Sequence, residues 1–565
     1  DPEDLLEVKT FPCFDKVLIN HAVDLILKSK VEEAIRIFES RTRMFWASID
    51  YGNSSLLWKI INKAALINKI AETIKKEISG SCKNAEELVI KYTDYSDSSA
   101  WYKLDLLKRQ LDIDYSNYVK VETESFPDIN SMFNKINQTY YETINRLAET
   151  FSEALLKDYF KLDGLPLQRH IFSKSVYPKL SQGKTAYFWI DALSYELAVD
   201  LYESLSSEDK SITFALATPP TITPIGMASL LPGVDSDFTL VTETTPAPAV
   251  KVKDIILKTR EDRIKYLKSN ISSEIVPFKL GNIPEDNKKL KEKIKDADLI
   301  IVTSQEIDAH DNEGNKNIVR KIMEETLEQI VVSIRRLRDC GVNYFVISSD
   351  HGHIFGEKLG TDMRIDPPGG KELFLDRRCW IGHGGTNSSS YFRVKPSAFG
   401  ISGDFEFAFP KSIACFKKSG SLAFIHGGLS LQEFVIPVIE LMAKSPTKES
   451  IGGLGFKIAF NKKKITSPFF TVEANFFWKQ RITGPEEHKV RIEVRSGKEK
   501  GKVVSASFDY DHVTGELALK KDEISHITLM LPENIEKGKV SVHLFDAETS
   551  KELDKIEDIE VSLLR

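Results

Sequence analysis

An α/β fold on a doubly wound, mostly parallel sheet is what this sequence predicts for its middle. A helical region is expected before it and a small β-sandwich after it. Three observations carry that expectation. Between residues 180 and 445, short runs of β-branched and aromatic residues alternate with helix-like segments, the texture of parallel strands joined by helical crossovers. Up to about residue 175, apolar residues recur at helical spacing, as in 31–38, 56–78 and 134–160. From about residue 455, short alternating runs at 489–494, 503–508, 526–531 and 539–545 are separated by turn residues.

The chain has 565 residues, too many for one hydrophobic core. Three units are expected, over 1–175, 180–445 and 455–565. In the first, Ser81-Cys82-Lys83-Asn84 and Tyr95-Ser96-Asp97-Ser98 read as breaks between helices. Phe45, Trp46, Trp58, Trp101 and Tyr102 read as core, because buried aromatics dominate cores. This region reads as an interaction or scaffold domain. In the second unit, 186–190, 212–217, 238–241, 299–303 and 344–349 read as strands. Segments 194–205, 253–267 and 318–337 read as helices, and 288–295 as a solvated charged face. Ser445-Pro446-Thr447 and Gly452-Gly453 mark a linker to the third unit.

The formal net charge of −6 provides no global basic field, so a nucleic-acid substrate would need a local patch. Lys462-Lys463-Lys464, Lys417-Lys418, Arg491 and Arg495 are the candidates, with solvated surface the plainer reading. The five cysteines are widely spaced and include no CxxC, which argues against a disulfide framework or a cysteine zinc finger. A reducing, cytoplasmic setting is expected. No apolar run reaches the roughly 20 residues that span a bilayer, and no secretory signal stands at the front. The first residue is Asp1 rather than Met, so an upstream segment is expected.

The chemistry is expected where strands end, since ligands of open α/β sheets bind beyond the carboxyl ends of parallel strands. The run 187–190 leads into Asp191, 299–303 leads on to Asp308, and 344–349 leads into Asp350-His351-Gly352-His353. Three carboxylates and an imidazole on one edge outline a site for a divalent cation. Alone, Asp191 reads equally well as a helix N-cap. Gly352 is expected to permit a close backbone turn. In Thr221-Ile222-Thr223-Pro224-Ile225-Gly226-Met227-Ala228, Pro224 suits a first helical turn and makes Thr223 the N-cap. A hydroxyl there is either a plain cap or a nucleophile whose pKa a cation lowers. His426-Gly427-Gly428 is sterically open, so His426 is a candidate ligand or an ordinary loop histidine.

Taken in order, five motifs resemble the PglZ domain of the alkaline phosphatase superfamily, over about residues 180 to 445. They are Asp191 in its strand, Thr223-Pro-Ile-Gly-Met-Ala, Ser304-Gln-Glu-Ile-Asp308, Ser349-Asp350-His351-Gly352 and His426-Gly-Gly-Leu-Ser-Leu-Gln-Glu433. The β-rich tail, with Ile465-Thr466-Ser467-Pro468, looks like that of PglZ proteins from BREX phage-defence systems. The resemblance implies an alkaline-phosphatase-like fold and two divalent metal ions. Asp191, Thr223, Asp350 and His351 would hold one. Asp308, His426 and a residue near Asn312 would hold the other, with His310 or Asp311 able to stand in for the weaker amide ligand. Zn²⁺ suits mixed O and N ligands, with Mn²⁺ second. Cys379-Trp380-Ile381-Gly382-His383-Gly384-Gly385, after Arg377-Arg378, also looks PglZ-like. Arg378 is a candidate phosphate contact or a structural salt bridge, since its planar fork suits both. His383, His353 and His310 are candidate substrate or outer-sphere groups.

The expected activity is that of a metal-dependent phosphohydrolase, a phosphodiesterase or nuclease in phage defence. Thr223 would attack phosphorus and form a phospho-threonine, hydrolysed in a second step. A phosphomonoesterase or sulfatase would use much the same ligands. A non-catalytic core subunit of a defence complex is the alternative from another class. Other BREX-type proteins are the expected partners, through the helical and β domains, with a nucleic acid or nucleotide as substrate and no membrane.

Overall fold

The computed structural model describes residues 5–6, 13–42, 54–80, 84–97, 99–121, 127–162, 164–205, 209–235, 237–243, 247–309, 316–355, 363–418, 424–443, 454–478, 487–497, 499–506, 510–511, 514–532, 535, 537–547 and 550–563. The front is helical: α1 Cys13–Leu27, α2 Val31–Thr42, α3 Ser54–Gly80, α4 Ala85–Thr93, α5 Tyr102–Val121 and α6 Pro127–Lys157. In α3, Leu57, Ile60, Ile61, Ala64, Ile67 and Ala71 recur at three- and four-residue steps and are buried together, which is why this stretch settles as a helix with one face inward. Asn84, expected within a break, caps α4 by accepting the Glu87 amide. Trp58, Trp101 and Tyr102 are buried. Trp101 Nε1 also donates to Glu77 at 2.8 Å, satisfying its polar edge. Phe45 and Trp46 lie outside the described residues.

The central sheet is mixed α/β and mostly parallel. Its strands are β1 Thr185–Ile190, β2 Lys210–Leu216, β3 Ile275–Lys279, β4 Leu299–Ser304 and β5 Tyr344–Ser349, together with Val435–Met442. β5, β1, β4 and β3 lie side by side in parallel. Val435–Met442 runs antiparallel between β5 and β2. Side chains alternate faces along β1. Tyr187 and Trp189 join a core shared with the front helices, and Ala186, Phe188 and Ile190 join a second core. That second core is closed by α7 Tyr195–Ser204, α10 Asn287–Lys293 and α11 Lys316–Asp339. On the first face pack α8 Thr223–Ser229 and α9 Arg260–Asn270.

Two expectations are corrected here. The run at 238–241 is not a strand of the main sheet; Thr239–Val241 pairs with Ala249–Val252 in a small three-stranded antiparallel sheet. The helix expected from 253 starts at Arg260, because Lys253 and Asp254 turn with positive φ and Ile255–Leu257 is a strand. Thr259 then caps α9 in a reciprocal box with Asp262. Strand Val435–Met442 was not anticipated. Between β5 and this strand lies an antiparallel sheet of β6 Lys371–Leu375, β7 Trp380–His383, β8 Tyr391–Val394 and β9 Glu406–Pro410.

The helical front does not hang loosely from the sheet. Arg109, buried on α5, donates to Glu196 at 3.0 Å and also bonds Asp200 and Glu324. Tyr195 Oη donates to the Thr93 carbonyl at 2.8 Å. Asp105 accepts from Tyr92 at 2.9 Å, from Tyr140 at 2.7 Å and from Gln432, across the junction. Burial pushes the Asp105 carboxyl up to about 7, although these donors favour its charge. At the other end, strands from Leu454–Ala459 to Glu552–Ser562 form two sheets around one core, with Val472 and Ala474 facing Val490, Ile492 and Val494. This part docks on α11, where Arg338 donates to the Ala547 carbonyl at 3.2 Å.

Candidate functional site

The carboxyl ends of β1 and β5 bring Asp191, Asp350 and His351 together, fully buried, with one ligand atom from each inside 4.8 Å. The backbone shapes this corner. Ala192 takes a φ of +57°, a region that costs a Cβ-bearing residue energy, and its amide donates to Asp350 Oδ1 at 3.0 Å. The His351 amide donates to the same oxygen at 2.9 Å. That leaves Asp350 Oδ2 and Asp191 Oδ1 buried without a hydrogen-bond partner. Orphaned carboxylate oxygens in a buried pocket are costly unless a cation meets them.

His351 is set as a ligand would be. Its Nδ1 donates to the Gly352 carbonyl at 3.0 Å, so Nε2 keeps its lone pair. Nε2 lies 3.4 Å from Asp350 Oδ2 and 3.8 Å from Asp191 Oδ1. Burial drives the imidazole down to about 3, keeping it neutral. Without a cation the carboxyls are poorly placed as anions. Burial, then the charges of Asp350 and Asp308, pushes Asp191 well above the usual carboxylate range. Burial lifts Asp350 to about 7. Two carboxyls with unmet oxygens and one neutral imidazole are a donor set that fits a divalent cation.

Asp308 and His426 form the neighbouring pair. Asp308 sits half-buried on the single turn Glu306–Ala309 after β4. His426 repeats the arrangement of His351: Nδ1 donates to the Thr221 carbonyl at 3.0 Å, and Nε2 lies 3.4 Å from Asp308 Oδ1. The two imidazoles stack, with centroids 4.0 Å apart and planes 9° from parallel. Burial opposes charge on His426, yet Asp308 raises it to about 9. Burial likewise works against charge on Asp308, and His426 holds it down at about 2. Asn312, His310 and Asp311 lie outside the described residues.

Thr223 stands beside the first group, its hydroxyl 3.3 Å from His351 Nε2. It is the first residue of α8 and Pro224 the second; Ile222 is the N-cap, which corrects the expected cap position. The Thr223 hydroxyl caps nothing and is therefore free to face the cluster. Gly226 brings α8 onto the site, since a Cβ there would sit 2.3 Å from the Asp350 carbonyl oxygen. Gly352 serves the same end rather than a turn: its Cβ would sit 2.0 Å from the Gln432 carbonyl oxygen.

The remaining candidates lie around this centre. Arg378 resolves as a structural salt bridge, buried and forked onto Glu433 at 2.8 and 3.1 Å. Its Nη1 adds the carbonyls of Ser412 and Ala414. Glu433 in turn accepts the Gly428 amide at 2.8 Å and the Ser430 hydroxyl at 2.7 Å, which fixes the loop that carries His426. His353 is buried on the far side of the Asp191 loop, donating Nδ1 to the Ala192 carbonyl at 3.0 Å and stacking on Phe424. His383 ends β7, and among the described residues it makes no hydrogen bond or ion pair with the cluster.

Three further residues matter that were not singled out in the sequence. Gln168 donates to the Asp350 carbonyl at 2.8 Å and accepts the Thr218 amide at 2.8 Å. Thr221 donates to the Gly428 carbonyl at 2.7 Å and accepts the Gly427 amide, tying the His426 loop to the Thr223 loop. Arg263 is buried on α9. Burial works to strip its charge, while Asp350 and Asp191 work to keep it. Only Thr221 had a local signal, two residues ahead of Thr223.

Residues 171–441 match the family described as the BREX system PglZ alkaline phosphatase-like domain. The chain is 23% identical over 533 residues to the alkaline phosphatase-like protein PglZ of Bacillus cereus (strain H3081.97), covering 89% of this chain and 58% of that protein. It is 25% identical over 321 residues to the alkaline phosphatase-like protein BrxZ of Escherichia coli O9:H4 (strain HS), covering 51% of this chain and 34% of that protein. The chain thus spans well under two thirds of the length of these relatives. Among solved structures, murine ectonucleotide pyrophosphatase/phosphodiesterase 5 aligns with a TM-score of 0.32 at 11% identity, over 45% of this chain and 87% of that one. Phosphonoacetate hydrolase from Sinorhizobium meliloti 1021 aligns with a TM-score of 0.30 at 11% identity, over 47% of this chain and 92% of that one.

Proposed function

We propose that this chain, a PglZ-type protein with its alkaline phosphatase-like domain at residues 171–441, is a metal-dependent phosphohydrolase acting on phosphodiesters, nucleic acid among them, in phage defence. The observation that carries the reading is the Thr223 hydroxyl, uncapped and 3.3 Å from His351, beside two buried carboxylate oxygens that lack partners. Asp191, Asp350, His351 and Thr223 would hold one divalent cation, and Asp308 and His426 a second. Bound there, the cations would neutralise the carboxylates, favour the deprotonated hydroxyl and offset charge developing on the phosphoryl group.

The residues divide the remaining work. Thr223 Oγ is the nucleophile: its bond to phosphorus forms as the phosphorus–oxygen bond to the leaving group breaks, the hydroxyl proton passes to solvent, and solvent returns a proton to the departing alkoxide. The phospho-threonine is then hydrolysed by water. The Nδ1–carbonyl bonds of both histidines hold their rings at a set angle, so that Nε2 faces the reacting region. Gly226 and Gly352 let backbone approach the cluster closely. Arg378 and Glu433 position the His426 loop and do not touch substrate.

The three units at 1–175, 180–445 and 455–565 are part of this proposal, the outer two docking other BREX components. Thr223→Ala separates the reading from its rivals. Hydrolysis of bis(p-nitrophenyl) phosphate should fall to background while metal content, read by elemental mass spectrometry, stays largely intact. A variant that retains full activity would remove the nucleophile assignment. Faster wild-type turnover of p-nitrophenyl phosphate than of the diester would replace a diesterase with a monoesterase.

A further inference from the structure

Beyond the cluster, a hollow lies where the helical front meets the sheet. It has a volume of about 440 Å³, within the range of small-molecule sites. Leu155, Phe160, Leu162, Leu216, Phe399 and Phe434 give it an apolar part. None of the cluster residues reaches it. Its wall is nevertheless mechanically close to them: Thr218 lines it, and the Thr218 amide is held by the same Gln168 side chain that holds the Asp350 carbonyl.

One side of this hollow is cationic. Arg169 lies over the Phe238 ring at 4.7 Å and donates to the carbonyls of Phe399 and Gly400. A guanidinium has five N–H donors, so others remain. Among the described residues no carboxylate comes within ion-pair distance of Arg169. Asp235, on the same wall, acts on it only from farther away, and burial pulls Arg169 down to about 10. His170 and exposed Lys174 complete the rim. A half-buried guanidinium without a carboxylate partner, over an apolar hollow, calls for a ligand with both characters.

We propose that this hollow is a binding site for a small amphiphilic anion, with an alkyl tail among the leucines and phenylalanines and a phosphate or carboxylate on Arg169. The site stands independently of the hydrolase reading, because it uses none of the same residues. Isothermal titration of the full chain with octanoate, octyl phosphate and octanol tests it. Both anions should bind saturably at one per chain and compete. Octanol should bind about tenfold more weakly or worse, the loss expected for one charge-assisted contact of about 1.4 kcal/mol. Binding of octyl phosphate alone would keep the site and restrict its headgroup to phosphate.

Arg169→Met should bring the anions down to the octanol level. Ala398→Trp, at an exposed position on the wall, should fill the hollow and abolish all binding. Octanol binding as tightly as octanoate, no saturable binding of either anion, or folded variants that bind like the wild type would each overturn the proposal. The wild-type comparison of anion with alcohol decides the matter even if neither variant folds.

Discussion

The two halves of the candidate site use the same ligand chemistry in different surroundings. Around Asp350, every neighbour is buried and the backbone does much of the holding: two amides on one carboxylate oxygen, two glycines under close approach and Gln168 on the carbonyl. Around Asp308, the carboxylate is half-exposed on a single turn and its main partner is another side chain, His426. A carboxylate pinned by buried amides has nowhere to go when its cation leaves; one paired with an imidazole can close on it. The first half is therefore expected to be the tight, permanent site, and the second the exchangeable one.

The sharpest way to break that contrast is to neutralise each carboxylate in turn. Asp350→Asn should lose metal from both halves and reduce diester hydrolysis at least a hundredfold, since even outer partners of metal ligands are worth 10–100-fold. Asp308→Asn should keep one ion per chain by elemental mass spectrometry. Equal loss in both variants would show that the halves bind metal as a unit.

A smaller effect is expected at the glycines. Gly352→Ala must displace the Gln432 carbonyl, which is backbone and cannot swing aside, so metal affinity should fall about tenfold or more. Gly281→Ala, with nothing within 4 Å of the added carbon, is the control and should change nothing in a metal titration.

The smallest effect lies outside the site, at the dock of the helical front. Asp105 has a folded carboxyl pKa of about 7, raised from its ordinary value by burial. A raised acid favours its protonated form, so its contribution to stability is fully present below about pH 4 and is lost as pH rises through about 7. Thermal unfolding of the wild type should therefore show a Tm that declines between those values, by a few degrees on the usual size scaling. Asp105→Asn should flatten that decline. An unchanged slope would mean that Asp105 keeps an ordinary pKa in the folded protein.

Much of this site was readable because its residues end hydrophobic runs. Asp191 and Asp350-His351 each follow a strand-like stretch, and the ends of parallel strands converge on one edge. Strand Val435–Met442 escaped notice for a physical reason: Pro437 is its third residue, and proline is normally excluded from central strands. Here its carbonyl accepts the Ser348 hydroxyl at 2.7 Å. The first-turn position of Thr223 rather than the cap was one residue beyond what Pro224 could specify. Gln168, Thr221 and Arg263 act through partners scattered far along the chain, and no local pattern encodes such contacts.

Gln168 has one consequence for how the molecule can be divided. The matched family stretch begins at 171 and the alternating strand–helix texture at about 180, so either border invites a cut. Both cuts discard Gln168 and with it the only side chain described as holding the Asp350 carbonyl. A fragment trimmed to the matched domain would keep every proposed ligand and still lose a strut beneath one of them. The segment between the helical front and β1 is thus part of the foundation of the site, and a fragment that keeps the site whole has to start upstream of Gln168.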